Sequence, residues 1–144
     1  KTLISTIVDH SRDMPIIFPV HPRTRQILTT MNLVFDNLHY IDPLGYLEFN
    51  YLVENSLGVL TDSGGITEET TVMNIPCITL RENTERPETC KIGTNRLVGT
   101  NEGNIIHALE DMVNKNWKDG LAPELWDGKT SERIIDHVIN IYNL

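Results

Sequence analysis

Leu57-Gly58-Val59-Leu60-Thr61-Asp62-Ser63-Gly64-Gly65-Ile66-Thr67-Glu68-Glu69 decides how this chain folds. Its apolar beginning, Leu57 to Leu60, reads as a buried strand. Gly64 and Gly65 make a turn, and Ile66 to Asn74 is compatible with a helix. A strand that turns through glycine into a helix aims bare backbone N–H groups and the positive end of the helix dipole at one point. That point suits an anion, a phosphate above all. Ser63 adds a hydroxyl. The same letters also suit an ordinary tight turn with Ser63 as the helix cap.

Reading outward, the alternation repeats. Upstream, Lys1 to Asp13 reads as a helix, Ile16 to Val20 as a buried strand, and Pro22 to about Met31 as a helix with His21 near its N-cap. Leu38 to Ile41 is a strand, Asp42-Pro43-Leu44-Gly45 a turn, and Tyr46 to Asn55 a helix. Downstream, Cys77 to Leu80 is a strand, Pro87 to Lys91 a short helix, Asn95 to Val98 a strand and Glu102 to Asn116 a helix. A loop-rich stretch, Trp117 to Gly128, leads to a last helix over Ser131 to Tyr142. Strands alternating with helices predict one Rossmann-like α/β domain: a parallel sheet flanked by helices. Such a fold normally opens on a strand, and this chain opens on a helix. The expectation is therefore a fragment whose first strand, and a preceding domain, lie outside residues 1–144.

Composition narrows the function. A length of 144 residues suits a single domain with a real core. The net charge of −8 argues against a general nucleic-acid binder, which needs a basic face. It also means that any phosphate must be attracted locally. No apolar run nears the ~20 residues that span a membrane, and Lys1-Thr2-Leu3-Ile4-Ser5 does not begin a secretory signal. A cytoplasmic location is expected, with Cys77 and Cys90, which form no C-x-x-C pair, as reduced thiols. The letters contain no nucleophile–base constellation, metal-ligand cluster or Walker motif. No catalytic residue, metal or cofactor is expected.

In open α/β sheets, ligands bind beyond the carboxyl ends of the strands. The segments there are His21-Pro22-Arg23, Asp42 to Gly45, Thr61 to Gly65, Arg81 to Arg86 and Gly99-Thr100-Asn101. Parallel strands put them on one edge, and the convergence points to a nucleotide sugar. Glu68 and Glu69 point about 100° apart on a helix, so only one faces the cleft. Beside phosphates, a carboxylate there would take sugar hydroxyls, and a ribose fits. Otherwise both are first-turn acids suited to the dipole. Arg86 is the best cation for phosphate, unless it pairs only with Glu85 or Glu88. Arg81 is a weaker candidate. His21 either donates to a phosphate or caps its helix. Phe49 either packs on a base or belongs to the core.

Several stretches together resemble the non-hydrolysing UDP-N-acetylglucosamine 2-epimerases: Ile41-Asp42-Pro43-Leu44-Gly45-Tyr46-Leu47-Glu48-Phe49, Thr61 to Glu69, Leu80-Arg81-Glu82-Asn83-Thr84-Glu85-Arg86-Pro87-Glu88, Gly93-Thr94-Asn95 and Leu97-Val98-Gly99-Thr100. The likeness runs in order from His21 to the C-terminus. That family has two Rossmann-like domains arranged as in GT-B glycosyltransferases, with the active site in the cleft between them. This chain resembles only the second. The resemblance implies that Ser63, Gly64 and Gly65 hold the diphosphate, that Glu69 binds the ribose and that Arg86 binds at the phosphates. It implies a uracil pocket from Phe49 and the backbone around Leu44. His21 matches a His-Pro pair that, in bacterial members, helps bind a second UDP-GlcNAc as an activator.

The family reaction eliminates UDP to leave a 2-acetamidoglucal, then re-adds it after the proton returns to the other face of C2. The acids proposed for proton transfer lie in the first domain, and a His-Arg motif lies upstream. The resemblance thus implies a domain that stabilises departing UDP and is inactive alone. Its expected partners are UDP-GlcNAc and UDP-ManNAc, an N-terminal domain and a second copy in a homodimer, in surface-polysaccharide synthesis. A GT-B glycosyltransferase, a hydrolysing epimerase and a non-catalytic UDP-sugar-binding domain are the rival expectations. Thr84-Glu85-Arg86-Pro87-Glu88 favours the epimerase over the transferase.

Overall fold

Short parallel strands alternate with helices across residues 2–142, the part of the chain that the computed structural model describes. The order is α1 (Thr2–Asp9), β1 (Ile16–Pro19), α2 (Pro22–Met31), β2 (Leu38–Ile41), α3 (Tyr46–Glu54), β3 (Val59–Thr61), α4 (Gly64–Val72), β4 (Cys77–Thr79), α5 (Pro87–Lys91), β5 (Asn95–Leu97), α6 (Glu102–Val113) and α7 (Thr130–Tyr142). Each expected element is present, and the boundaries move for local reasons. The first helix stops at Asp9 rather than Asp13. There the Ser11 N–H and hydroxyl both donate to the Val8 carbonyl, at 3.2 and 2.8 Å, and Arg12 and Asp13 adopt φ of 51° and 60°. That left-handed pair cannot continue a helix. α2 ends the same way, on Asn32 at φ 48°. α4 starts two residues earlier than expected, at Gly64 itself.

The strands are parallel throughout, as predicted, but the expected single sheet is divided. β1 pairs with β2, and β3, β4 and β5 form a second sheet in that order. Ile16 and Val20 donate their N–H groups towards β2, to Asn37 and Ile41 carbonyls at 2.7 and 3.0 Å. Alternation along a strand then turns the Ile17 N–H to the opposite edge. Val59 likewise donates to the Pro76 carbonyl at 2.9 Å on the β4 side, so the Leu60 N–H faces away from β4. Among the described residues no further strand pairs with either of these edges.

The core lies against the three-stranded sheet. Ile78 on β4 is fully buried against Val98 and against Ile105, Ala108, Leu109 and Met112 of α6. Those α6 positions recur at one and three residues, the spacing of one helix face. Burial also pushes the Cys77 thiol up to about 11, and both cysteines are free thiols. At the lower edge the Trp117 indole donates to the Thr94 carbonyl at 2.7 Å, and Arg96 stacks over its ring at 4.0 Å while bonding Asp111 at 2.6 Å. α7 differs from the rest. None of its described side chains is buried, and Ile134, Ile135, Val138 and Ile139 stand 41–57% exposed. No helix of the described residues is long and apolar enough to cross a membrane.

Truncating Ile78 to Ala should lower unfolding free energy by about 2–5 kcal/mol in a denaturant titration, because the surrounding side chains close the cavity only partly. A second outcome concerns acid. Both guanidinium nitrogens of Arg133 reach Asp127 at 2.9 Å, the Lys129 N–H adds a bond at 3.0 Å, and together they hold the Asp127 carboxyl down to about 2 from an ordinary 3.8. A lowered folded value means that the contribution is intact above about pH 4 and fades as pH falls through about 2. The Lys129 and Arg133 amide resonances should report that window, and Asp127→Asn should abolish it.

Candidate functional site

Ser63 stands at the N-cap of α4 with extended backbone, φ −90° and ψ 127°. Its hydroxyl makes no capping bond, so the side-chain cap expected of it as a simple turn residue is absent. The turn is pinned from behind instead: the Ser63 N–H donates to the Thr61 hydroxyl at 3.0 Å. Among the described residues no side chain answers the N–H groups of Gly64 or Gly65. The start of α4 therefore presents a serine hydroxyl, two bare N–H groups and the positive dipole end together.

α4 is held close to the sheet by small residues. Thr67, Thr70 and Thr71 are fully buried. Their hydroxyls return to carbonyls of their own helix, at 2.6 Å to Gly64, 2.9 Å to Ile66 and 2.8 Å to Thr67. Each buried hydroxyl is thereby satisfied. A side chain at Gly93 would strike Thr71 within 2.4 Å, which shows how tightly the chain passes beneath the helix.

The charged groups arrange themselves in a way that sequence only half foretells. Arg86, at the N-cap of α5, bonds Glu68 through Nε at 2.5 Å, with both side chains about two-fifths exposed. Its ion-pair partner is thus Glu68, from a helix eighteen residues back, and neither Glu85 nor Glu88. Glu69 is half-buried and makes no hydrogen bond or ion pair among the described residues. The two adjacent acids therefore divide their work: one ties Arg86 and the other is left open. Arg81 reaches Glu85 at 3.4 Å. The Glu82 carboxylate accepts the Thr100 N–H at 3.1 Å, over a turn in which Gly99 has φ 69°.

A buried chain of hydrogen bonds, not anticipated from sequence, fixes the backbone of Arg86. The Thr79 hydroxyl donates to Asn95 Oδ1 at 2.6 Å, the Asn95 amide donates to the Thr89 oxygen at 3.1 Å, and the Thr89 hydroxyl donates to the Arg86 carbonyl at 2.7 Å. Thr79, Thr89 and Asn95 are 2% exposed or less. The one available signal was Thr79 inside the otherwise apolar run Cys77 to Leu80.

The remaining candidates stand apart from this cluster. Leu44 lines a cavity of about 550 Å³ between α3 and the β1–β2 sheet, with Ile17, Ile41, Leu47, Tyr51 and Leu52. Phe49, one turn into α3 and half-buried, is not part of its wall. His21 is exposed and caps α2, its Nδ1 accepting the Arg23 N–H at 3.4 Å. That is the capping alternative, and no hydrogen bond links it to the glycine turn. Among the described residues no group of His, Cys, Asp and Glu could hold a metal ion.

A profile described as UDP-N-acetylglucosamine 2-epimerase matches residues 1–139. The chain belongs to that family. It is 49% identical over 131 residues to the UDP-N-acetylglucosamine 2-epimerase of Methanocaldococcus jannaschii, covering 85% of this chain and 34% of that protein. It is 35% identical over 127 residues to the UDP-2,3-diacetamido-2,3-dideoxy-D-glucuronate 2-epimerase of Pseudomonas aeruginosa, covering 88% of this chain and 35% of that one. Among solved structures, the crystal structure of the M. jannaschii enzyme in complex with UDP-GlcNAc and UDP superimposes with a TM-score of 0.77 at 42% identity, over 95% of this chain and 39% of that chain. The S. aureus MnaA–UDP co-structure does so with a TM-score of 0.81 at 31% identity, over 99% and 40%. The chain spans about a third of the length of the curated relatives it matches. The Rossmann-like, GT-B type α/β architecture of an epimerase C-terminal half follows from these neighbours and from the parallel strands.

The Glu68–Arg86 pair is too exposed to carry much stability. Glu68→Ala should therefore cost under about 1 kcal/mol in chemical denaturation, while the Arg86 Nε–H resonance loses its bonded shift. A cost above about 3 kcal/mol would make the pair part of the scaffold.

Proposed function

We propose that this chain is the UDP-holding domain of an isomerase that interconverts UDP-GlcNAc and UDP-ManNAc by eliminating and re-adding UDP, in the synthesis of cell-surface polysaccharide. The observation that carries the reading is the start of α4, where bare N–H groups and the Ser63 hydroxyl meet no partner, beside Arg86. In this reading Ser63, Gly64 and Gly65 bind the diphosphate through those groups. Arg86, with Nε held by Glu68, turns its remaining N–H donors to the phosphates. The open carboxylate of Glu69 accepts from the ribose hydroxyls. Leu44 and Phe49 shape the uracil side, and His21 serves a second nucleotide-sugar molecule. The printed names of the two curated relatives share UDP and 2-epimerase and differ in the sugar, which suits a domain that grips the nucleotide.

The same reading makes the chain one domain of a larger protein. The division between β1 and β3 supports a further parallel strand from outside residues 1–144, and the exposed apolar residues of α7 support a second domain against that helix. That domain would supply the acids that move the C2 proton. Here the chain lowers the barrier electrostatically, since donors fixed before reaction stabilise the charge that develops on the β-phosphate.

Titration calorimetry of UDP into the whole protein tests the site. Arg86→Ala and Glu69→Ala should each weaken binding about tenfold or more, as the loss of hydrogen bonds to charged groups of about 1.5–3 kcal/mol requires. Equal binding by wild type and both variants would sink the assignment. Incubation with UDP-GlcNAc in D2O should place deuterium at C2 in both epimers. Deuterium-free transfer of the sugar to an acceptor would favour the glycosyltransferase instead.

A further inference from the structure

The anion seat already has an anion beside it. A Cβ built on Gly64 would lie 2.9 Å from Oε1 of Glu85 and 3.6 Å from its carboxyl carbon. The carboxylate thus stands against the glycine turn at the start of α4. It accepts no hydrogen bond from the Gly64 or Gly65 N–H. Its other oxygen, Oε2, lies 3.4 Å from Arg81, and the side chain is 54% exposed. Its own backbone N–H, then Arg81, hold the Glu85 carboxyl below the usual carboxylate range.

We propose that Glu85 is a charge filter on the seat: it stands against the glycine turn until ligand phosphate takes that space, releases Arg81 to the phosphate, and penalises each further negative charge on the ligand. The proposal rests on the reading that the seat takes UDP. Three features favour it. The carboxylate lies on the Cβ side of Gly64 and accepts no hydrogen bond from the turn, so a phosphate that bonds the N–H groups displaces it at little loss. Arg81, paired with its Oε2 at 3.4 Å, is freed by the exchange. Arg86 is already held by Glu68 and hydrogen-bonds only the Glu85 backbone carbonyl, at 3.4 Å, so its pull on the carboxylate is weaker than that of Arg81. A residual carboxylate near bound phosphate repels it at short range, and water screens a half-exposed group only partly.

The consequence is discrimination by charge. A free terminal phosphate, with its second pKa near 6, carries more negative charge at neutral pH than the same phosphate esterified to a sugar. Glu85 therefore favours UDP-sugar over free UDP. In an elimination and re-addition sequence it raises the eliminated state relative to the esterified one, and so disfavours loss of UDP.

Calorimetry on the whole protein with uridine, UMP, UDP and UDP-GlcNAc tests this, using wild type, Glu85→Gln, Arg81→Ala and Arg86→Ala. Glu85→Gln should tighten UDP about three- to tenfold, UDP-GlcNAc less, and uridine not at all, with the gain shrinking as salt rises. Arg81→Ala should weaken UDP. If wild type binds UDP and Arg86→Ala weakens it, but Glu85→Gln leaves affinity unchanged or lower, the filter is overturned and the site stands. A gain for Glu85→Gln that is equal for uridine and UDP also overturns it, because charge is then not the cause. No UDP binding by wild type would overturn both.

Discussion

A chain with a net charge of −8 repels phosphate at a distance. Whatever draws an anion to this domain acts at contact range, and the fold is arranged around that constraint. In the proposed reading the attractive groups are mostly neutral dipoles: two glycine N–H groups, a serine hydroxyl and the aligned peptides of α4. Dipoles of this kind attract an anion without adding a mobile cation that a neighbouring acid could capture. The charged groups at the same edge do capture one another. Glu68 takes Arg86, Glu85 takes Arg81, and Glu82 turns to the Thr100 N–H.

Dipoles help only when fixed, and the fixing is done by threonine and asparagine rather than by large apolar side chains. Thr67, Thr70 and Thr71 let α4 lie close to β4 and β5 because each is small and satisfies its hydroxyl within the helix. The Thr79–Asn95–Thr89 chain does the same for the backbone of Arg86. Fully satisfied buried networks of this sort specify one arrangement more than they add stability. The apolar core around Ile78 and α6 lies apart from this edge and supplies the stability.

Much of this was legible in the sequence. Continuous apolar runs such as Ile16-Ile17-Phe18 and the face of Ile105, Leu109 and Met112 named strands and helices, because burial leaves a period that needs no partner to be read. The loops at the strand ends followed from the alternation alone. Pairings did not. Arg86 has two acids within two residues, and the sequence favoured those, yet the partner is Glu68, because the geometry of two helix starts decides reach. The absence of a Ser63 cap was equally hidden, since a serine before a glycine pair reads the same whether its hydroxyl turns inward or outward. The division into two sheets was not legible either, because strand order is a property of the whole sheet that no local run of residues encodes.

That break and the seat are linked by topology. Ligands in open α/β sheets gather at the point where strand order reverses, beyond the carboxyl ends. β1 pairs on one edge with β2, and β3 pairs on one edge with β4, which pairs with β5. If, as proposed, a further strand joins β1 to β3, strand order reverses there, and the loop after β3, which carries Ser63 and the two glycines, borders that switch point. A strand entering the gap would complete two hydrogen-bonded edges and bring its own terminal loop beside the seat. The Ile17 and Leu60 N–H groups that face the gap would set its register from both sides. On that proposal, completing the fold would also complete the site, and a ligand held at α4 would stabilise a strand held between β1 and β3 by linkage.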